Sequence, residues 1–251
     1  MIENEQKSGE FPVKKPEGRF DRNELIFGKD GVTDLAEKRV AVFGIGGVGG
    51  NAAEALVRSG IGTLDLIDGD CVSISNINRQ IIALDSTVGM AKTDAAEMRF
   101  LDINPDIVIH KCNIFFNEDN ADLIDFSVYD YVLDAIDTVS SKLLLIERAY
   151  AAGVPIISAM GAGNKLDPSQ LMVADLSETS VCPLARVMRK ELRQRGIEHI
   201  RVVYSKEPPV DSVKGQRTVG STAFVPPAAG LLMASAAVRD LLGRNGSVPS
   251  L

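Results

Sequence analysis

Along most of this chain, short apolar runs of strand length alternate with apolar positions at helical spacing. Residues 40–43, 64–67, 107–111, 131–137 and 156–159 read as five successive strands. Between them, residues 51–59 place Ala52, Ala53, Leu56 and Val57 on one face of a helix. Helices are also expected over 91–101, 117–126 and 139–152, with 85–90 as a loop and Asn104-Pro105 as a helix stop. Ahead of the first strand, 19–28 reads as a short helix or turn and 34–38 as a brief helix. Residues 1–18 are polar, hold Pro12 and Pro16, and read as a disordered tail. Past Gly161 the pattern changes. It predicts a loop over 161–168, a strand at 171–175, an amphipathic helix at 184–195 and a strand at 200–204. A flexible stretch at 210–220 follows, and then a last helix at 228–242 opened by Pro226 and Pro227.

Strand and helix alternating at these intervals predict an α/β fold. The expected architecture is a Rossmann-like, doubly wound, mostly parallel sheet with helices on both faces and a C-terminal extension. Ligands in such sheets sit beyond the carboxyl ends of the strands. Gly44, Asp68, Asp70 and Asp137 are all expected at strand carboxyl ends, so they should converge on one crevice although scattered in sequence. The first strand runs into Gly44, Gly46, Gly47, Gly49 and Gly50. Such a turn lets the backbone approach a phosphate at a helix N-terminus, and equally suits a tight turn that packs without a ligand. Two features favour the ligand. A carboxylate, Asp68, closes the second strand where a ribose acceptor belongs. The run Ser75 to Gln80 then sets Asn76, Asn78, Arg79 and Gln80 just past it, groups a plain nicotinamide site does not need.

Charge changes the picture locally. The net charge of −7 argues against a whole surface made for nucleic acid. Yet residues 186–217 hold nine basic and four acidic side chains, a basic segment on an acidic body that suits a polyanion or simply a solvated helix face. Cys71, Cys112 and Cys182 lie far apart without a C-x-x-C pair, and His110 and His199 are the two histidines. Neither a structural zinc site nor a disulfide framework is expected. With no secretory pattern at the start and no apolar stretch long enough to span a bilayer, the expected setting is cytoplasmic, without membrane contact.

Several pieces now match a known family. They are Arg19-Phe20-x-Arg22, Gly44-x-Gly46-Gly47-x-Gly49, the run from Asp68 through Asp70 and Ser75 to Gln80, Val88-Gly89-x-x-Lys92, and Asp134-Ala135-x-Asp137. Together they resemble the adenylating domain of the ubiquitin-activating-enzyme superfamily, from about residue 19 to 163. Within it the chain is most similar to the branch that dehydrates threonylcarbamoyladenosine in tRNA. The resemblance implies a single ATP-binding domain over 19–251, with a core at 39–163 and a basic extension at 164–251. It implies that ATP and a carboxylate give an acyl-adenylate and pyrophosphate, and that ring closure then expels AMP. Adenylation makes a poor electrophile reactive, and the charge gathering on the α-phosphate needs cations and a metal.

The same resemblance implies roles. The turn through Gly44, Gly46, Gly47 and Gly49 passes close to the nucleotide. Asp68, with Asp70 beside it, accepts from the ribose. Asn76, Asn78, Arg79 and Gln80 hold the phosphates, Arg79 as a planar multidentate donor. Lys92 is a point charge on the phosphates, and Asp137 holds Mg²⁺ there. Arg22 reaches the terminal phosphate of a neighbouring subunit in a homodimer. Asp134 reads as a structural carboxylate. The implied partners are tRNA and a sulfurtransferase-type protein. The competing reading is an activator of a sulfur-carrier or ubiquitin-like protein, which the missing cysteine pairs weaken. Cys182 stands where protein-activating relatives can carry a thioester-forming cysteine, and it reads here as a packing residue.

Overall fold

The computed structural model describes residues 17–210 and 219–244. The tail expected over 1–18 falls outside them but for its last two residues. So do residues 211–218, with Lys214 and Arg217, which make up most of the stretch expected to be flexible. Two short helices, α1 (Asp21–Phe27) and α2 (Lys29–Ala36), precede β1 (Arg39–Phe43). Then come α3 (Gly49–Ser59), β2 (Thr63–Ile67), α4 (Lys92–Ile103), β3 (Val108–Cys112) and β4 (Tyr131–Asp134). After them follow α5 (Val139–Ala151), β5 (Ile156–Ala159), β6 (Leu171–Asp175), α6 (Pro183–Gln194), β7 (Arg201–Ser205) and α7 (Val225–Leu241).

The strands form one sheet in the order β3-β2-β1-β4-β5-β7-β6. Every neighbouring pair is parallel except β6 with β7. This is the expected doubly wound sheet, closed at one edge by an antiparallel strand. The chain builds outward from β1 through β2 to β3, then returns to lay β4 on the other side of β1. The crevice between β1 and β4 is therefore the topological switch point, where such sheets bind ligands.

Period-two alternation sends each strand's side chains to both faces. Val40 and Val42 join Leu56, Phe100, Met233 and Ala237 beneath α3, α4 and α7. Ala41 and Phe43 join Leu145, Ile146, Met188 and Leu192 beneath α5 and α6. At the opposite end from the crevice, the fully buried Tyr131 donates its hydroxyl to Asp240 at 2.7 Å, and Arg201 ion-pairs with the same carboxylate. Burial and that carboxylate hold the Tyr131 phenol protonated well above its ordinary range. Among the described residues no helix is long and apolar enough to cross a membrane.

Three expected elements differ. The brief helix expected at 34–38 is α2, which starts at Lys29 and ends at Ala36. Gly28, at φ 81°, separates it from α1, and Gly31 inside it masks the helical signal in sequence. The helix expected at 117–126 does not form; turns and two short 3₁₀ segments stand in its place. Its Asn and Asp side chains compete for the backbone: Asn120 accepts from the N–H of Asn117, Asn117 from that of Asp119, and Asp125 from that of Ser127. The fourth strand ends at Asp134, so Asp137 lies three residues beyond it in a loop.

Helix α7 comes close to the start of α3 because Gly230 faces it. A Cβ there would meet the Val48 carbonyl oxygen at 2.2 Å and the Ala52 nitrogen at 3.0 Å. Neither backbone atom can move without shifting the glycine turn. Gly230→Ala is expected to lose about 1–3 kcal/mol of stability by overpacking. Urea unfolding checks this, with Leu231→Ala on the exposed side of α7 expected to stay within about 0.5 kcal/mol.

Candidate active site

At the switch point a cavity of about 630 Å³ opens beside the glycine turn. Two of the glycines are needed for the turn itself. Gly44 has φ 87°, and a Cβ there would lie 2.6 Å from the Ala135 carbonyl oxygen. At Gly49 a Cβ would lie 1.8 Å from the Gly44 carbonyl oxygen. The turn thus folds back on itself and against the residues after β4. Gly46 differs: no atom but the Gln80 Nε2, at 3.8 Å, lies near where its Cβ would stand. Gly46, Gly47 and Val48 lead into α3, so their N–H groups lack an intrahelical acceptor and carry the positive end of the helix dipole.

Asp68 follows β2 directly and is nearly buried. Its Oδ2 accepts from the Ile45 N–H at 2.6 Å and its Oδ1 from the Asp70 N–H at 2.8 Å. Lys92 opens α4 and is 6% exposed, yet its Nζ reaches the cavity wall. It stands 2.6 Å from Asp70 Oδ2 and 3.5 Å from Asp68 Oδ2. Asp70 is half exposed, so this ammonium has one sealed and one open partner.

The Ser75 to Gln80 run forms a 3₁₀ turn and its continuation. Asn76 caps it by accepting from the Ser73 N–H at 3.0 Å. Arg79 donates through Nη1 to the Ser75 carbonyl and to Asn78 Oδ1, both at 2.9 Å, and forms no ion pair with a carboxylate among the described residues. Gln80 is 6% exposed and lines the cavity, and its Oε1 has no hydrogen-bond partner among the described residues. A buried amide oxygen left open beside a cavity is the mark of a group made to meet a ligand. Asp137 is exposed on the far wall and also lacks an ion pair among the described residues.

Of the expected site residues, Gly44, Gly46, Gly47, Asp68, Asp70, Asn76, Arg79, Gln80, Lys92 and Asp137 line this one cavity. Gly49, Asn78 and Arg22 do not. Gly49 acts through the packing of the turn. Asn78 holds Arg79 and donates from Nδ2 to the Ser221 carbonyl at 3.0 Å, which ties down the opposite rim. Arg22 is exposed on α1, outside the cavity of its own chain. Cys182 is buried next to Gly161 with no acid or base bonded to it among the described residues, as a packing residue would be. Much of the basic segment serves the fold: Arg189 donates to the Leu176 and Thr179 carbonyls, and Arg195 pairs with Glu147 and Glu191. Arg186 and Lys190 remain on the exposed face of α6.

Sequence reasoning missed Phe115. It follows β3, is 64% exposed and lines the cavity, and the Ser141 hydroxyl fixes its neighbour by donating to the Phe116 carbonyl at 2.6 Å. An aromatic standing free at a cavity mouth offers a flat apolar face to a planar ligand. It also missed Lys142, a lysine with no exposed surface.

These residues fit a nucleoside triphosphate. A helix N-terminus, one guanidinium without a carboxylate and one ammonium can bind its phosphates, a buried carboxylate can accept from a sugar, and an open amide oxygen adds polarity. The donor set also fits Mg²⁺ carried by the nucleotide. Among the described residues no three His, Cys, Asp or Glu side chains converge, and magnesium on phosphates needs only one or two protein carboxylates.

Known proteins resemble this chain in sequence and in fold. A tRNA threonylcarbamoyladenosine dehydratase of Bacillus subtilis (strain 168) is 42% identical over 241 residues, covering 89% of this chain and 94% of that protein. The crystal structure of the E. coli tRNA N6-threonylcarbamoyladenosine dehydratase in complex with AMP superposes with a TM-score of 0.84 at 34% identity, covering 90% of this chain and 94% of that one. Its complex with ATP gives a TM-score of 0.82 at the same identity and coverage. The ThiF family model matches residues 20–250. On sequence and on fold, the chain belongs to the ThiF family.

Proposed function

We propose that this chain is an ATP-dependent tRNA threonylcarbamoyladenosine dehydratase. The observation that carries the reading is the convergence of Arg79, Lys92, Asp68 and Asp137 on one cavity at the N-terminus of α3. The B. subtilis and E. coli relatives bear that name, and the E. coli enzyme binds ATP in the same fold. In this reading an oxygen of the threonyl carboxylate attacks the α-phosphorus of ATP. A phosphorus–oxygen bond forms, and the bond to pyrophosphate breaks with its electron pair leaving on pyrophosphate. A nucleophile of the carbamoyl group then closes a ring on the activated carbonyl and releases AMP. The modified base loses one water overall.

The chain's own residues supply orientation and charge. Asp68, held by the Ile45 and Asp70 N–H groups, accepts from the ribose. The N–H groups before α3 and the Arg79 fork meet the phosphates, and their charge counts most where negative charge develops. Lys92 moves its open contact from Asp70 to phosphate while keeping Asp68 in reach. Asp137 holds Mg²⁺, which when bound lends Lewis-acid charge to the phosphates. Arg22, outside the cavity of its own chain, is assigned to the cavity of a second copy in a homodimer. Arg186 and Lys190, exposed on α6 just beyond the cavity-lining Leu184, are assigned to the tRNA backbone.

Three outcomes test this. Incubated with ATP, Mg²⁺ and tRNA bearing threonylcarbamoyladenosine, the protein is expected to yield a nucleoside lighter by one water, read by mass spectrometry after digestion. No mass loss, together with adenylation of a carrier protein's C-terminus, overturns the reading. Asp137→Ala is expected to lower kcat by about 100-fold or more without shifting the melting temperature, since the side chain is exposed and has no ion pair among the described residues; near-wild-type turnover removes Asp137 from the metal role. Equal amounts of Arg22→Ala and Asp137→Ala chains, each inactive alone, are expected after subunit exchange to regain about a quarter of wild-type activity, because half the dimers then hold one intact site. Activity that stays at the level of the separate variants shows that Arg22 does not serve a neighbour's cavity.

A further inference from the structure

Lys142 and Asp134 are sealed from solvent, each with no exposed surface, and neither lines the cavity. Lys142 Nζ stands 2.9 Å from Asp134 Oδ2 and donates to the Ile136 carbonyl oxygen at 3.0 Å. Asp134 Oδ1 accepts from the Ile136 N–H at 3.1 Å, and Oδ2 from the Ser158 hydroxyl at 2.5 Å. Both backbone polar groups of Ile136 are thus held by one buried ion pair. The next residue is Asp137. On its other side the turn is fixed by the Ala135 N–H, which donates to the Phe43 carbonyl at 2.8 Å, and by the close fit of Gly44 beneath Ala135.

Stability does not account for such a pair. Taking two charges out of water is costly, and apolar residues of similar volume commonly serve a core as well or better. What the pair does that apolar residues cannot is clamp the N–H and the C=O of a single peptide turn. We propose that Lys142 is a positioning residue for Asp137: with Asp134 and Ser158 it fixes the Ile136 peptide groups so that the Asp137 carboxylate faces the cavity. This rests on the metal-holding role given to Asp137 above.

Removing Lys142 alone strands a buried carboxylate, so the test is the double variant Asp134→Asn with Lys142→Met, which removes both charges and leaves the Ile136 carbonyl without its ammonium. Two readouts are taken on folded protein. The first is turnover of modified tRNA. The second is ATP affinity by calorimetry with Mg²⁺ and with EDTA, whose ratio measures what the metal adds. The expected result is a fall in kcat of about 100-fold. ATP affinity in EDTA should stay within about twofold of wild type, and the metal's gain should drop to that of Asp137→Ala. A folded double variant that keeps the wild-type metal gain overturns the proposal, as does one that loses ATP affinity equally with and without metal. If the double variant does not fold, Ser158→Ala carries the test. It removes one donor to Asp134 and is expected to lower the metal gain part of the way, and an unchanged gain overturns the proposal. Should wild-type protein fail to dehydrate tRNA, the functional reading falls, while the calorimetric ratio still decides whether Lys142 positions Asp137.

Discussion

The carboxylate of Asp68 is the point on which the crevice depends. It lies nearly buried where β2 ends and takes the Ile45 N–H, the Asp70 N–H and the Lys92 ammonium at once. A buried carboxylate is stable only when its oxygens are met by donors. Meeting that demand draws the first residues of the glycine turn toward β2 and draws the start of α4 across the strand end. Three segments far apart in sequence are thereby set at hydrogen-bond distances, and Gly46, Gly47 and Val48, ahead of α3, line the cavity. Replace Asp68 with an apolar residue and the Ile45 N–H, deep beside the sheet, has no acceptor.

The other side of β1 repeats the arrangement with a different outcome. β2 and β4 flank β1, and each is followed or closed by a buried aspartate that holds a backbone N–H of an adjoining turn and pairs with a lysine from the next helix. The difference lies in access. Lys92 touches the cavity and shares its charge with the half-exposed Asp70, so a phosphate can replace one partner without stranding the other. Lys142 has no solvent path and no open partner, so it can only hold still. One lysine is suited to exchange partners with a ligand and the other to keep a turn rigid.

Most of the fold was legible because the alternation of apolar strand runs and helical spacing persists from β1 to β5, and tertiary packing does not override it. The failures have local causes. Between 117 and 126 the helical spacing is present, but Asn and Asp side chains satisfy the backbone in turns instead. In 131–137 the apolar run continues past Asp134, while the β4 ladder stops where Asp134 turns its carboxylate onto the Ile136 N–H. Of the candidate site, the residues in local motifs were legible, since a glycine turn or the Ser75 to Gln80 run carries its own chemistry. Lys142 left a subtler signal. It falls in register with Leu145, Ile146 and Ala149 on the apolar stripe of α5, and a lysine there must find a buried acid. Phe115 left none, because an aromatic in a loop gives no period to read.

The rim opposite the phosphate-binding groups has a different character, and the motif that carries Arg79 also builds it. Gly161, Ala162 and Gly163 line the cavity beside Val219, Gly220 and Ser221, with Val219 close against Gly163, and none of these bears a charge. Asn164, in the left-handed region at φ 54°, pairs with Gly220 through both its backbone N–H and its side-chain oxygen, while Asn78 holds the Ser221 carbonyl from the other side. The rim is therefore fixed by neutral amides, and the cations that line the cavity among the described residues, Arg79 and Lys92, stand on the phosphate side. Under the proposed reaction that division matters. Among the described residues that line the cavity, a substrate carboxylate entering past this rim meets no lysine or arginine before Arg79 and Lys92 on the nucleotide side. Asn78, which does not line the cavity, then has a clear part: it ties the guanidinium side to the neutral side.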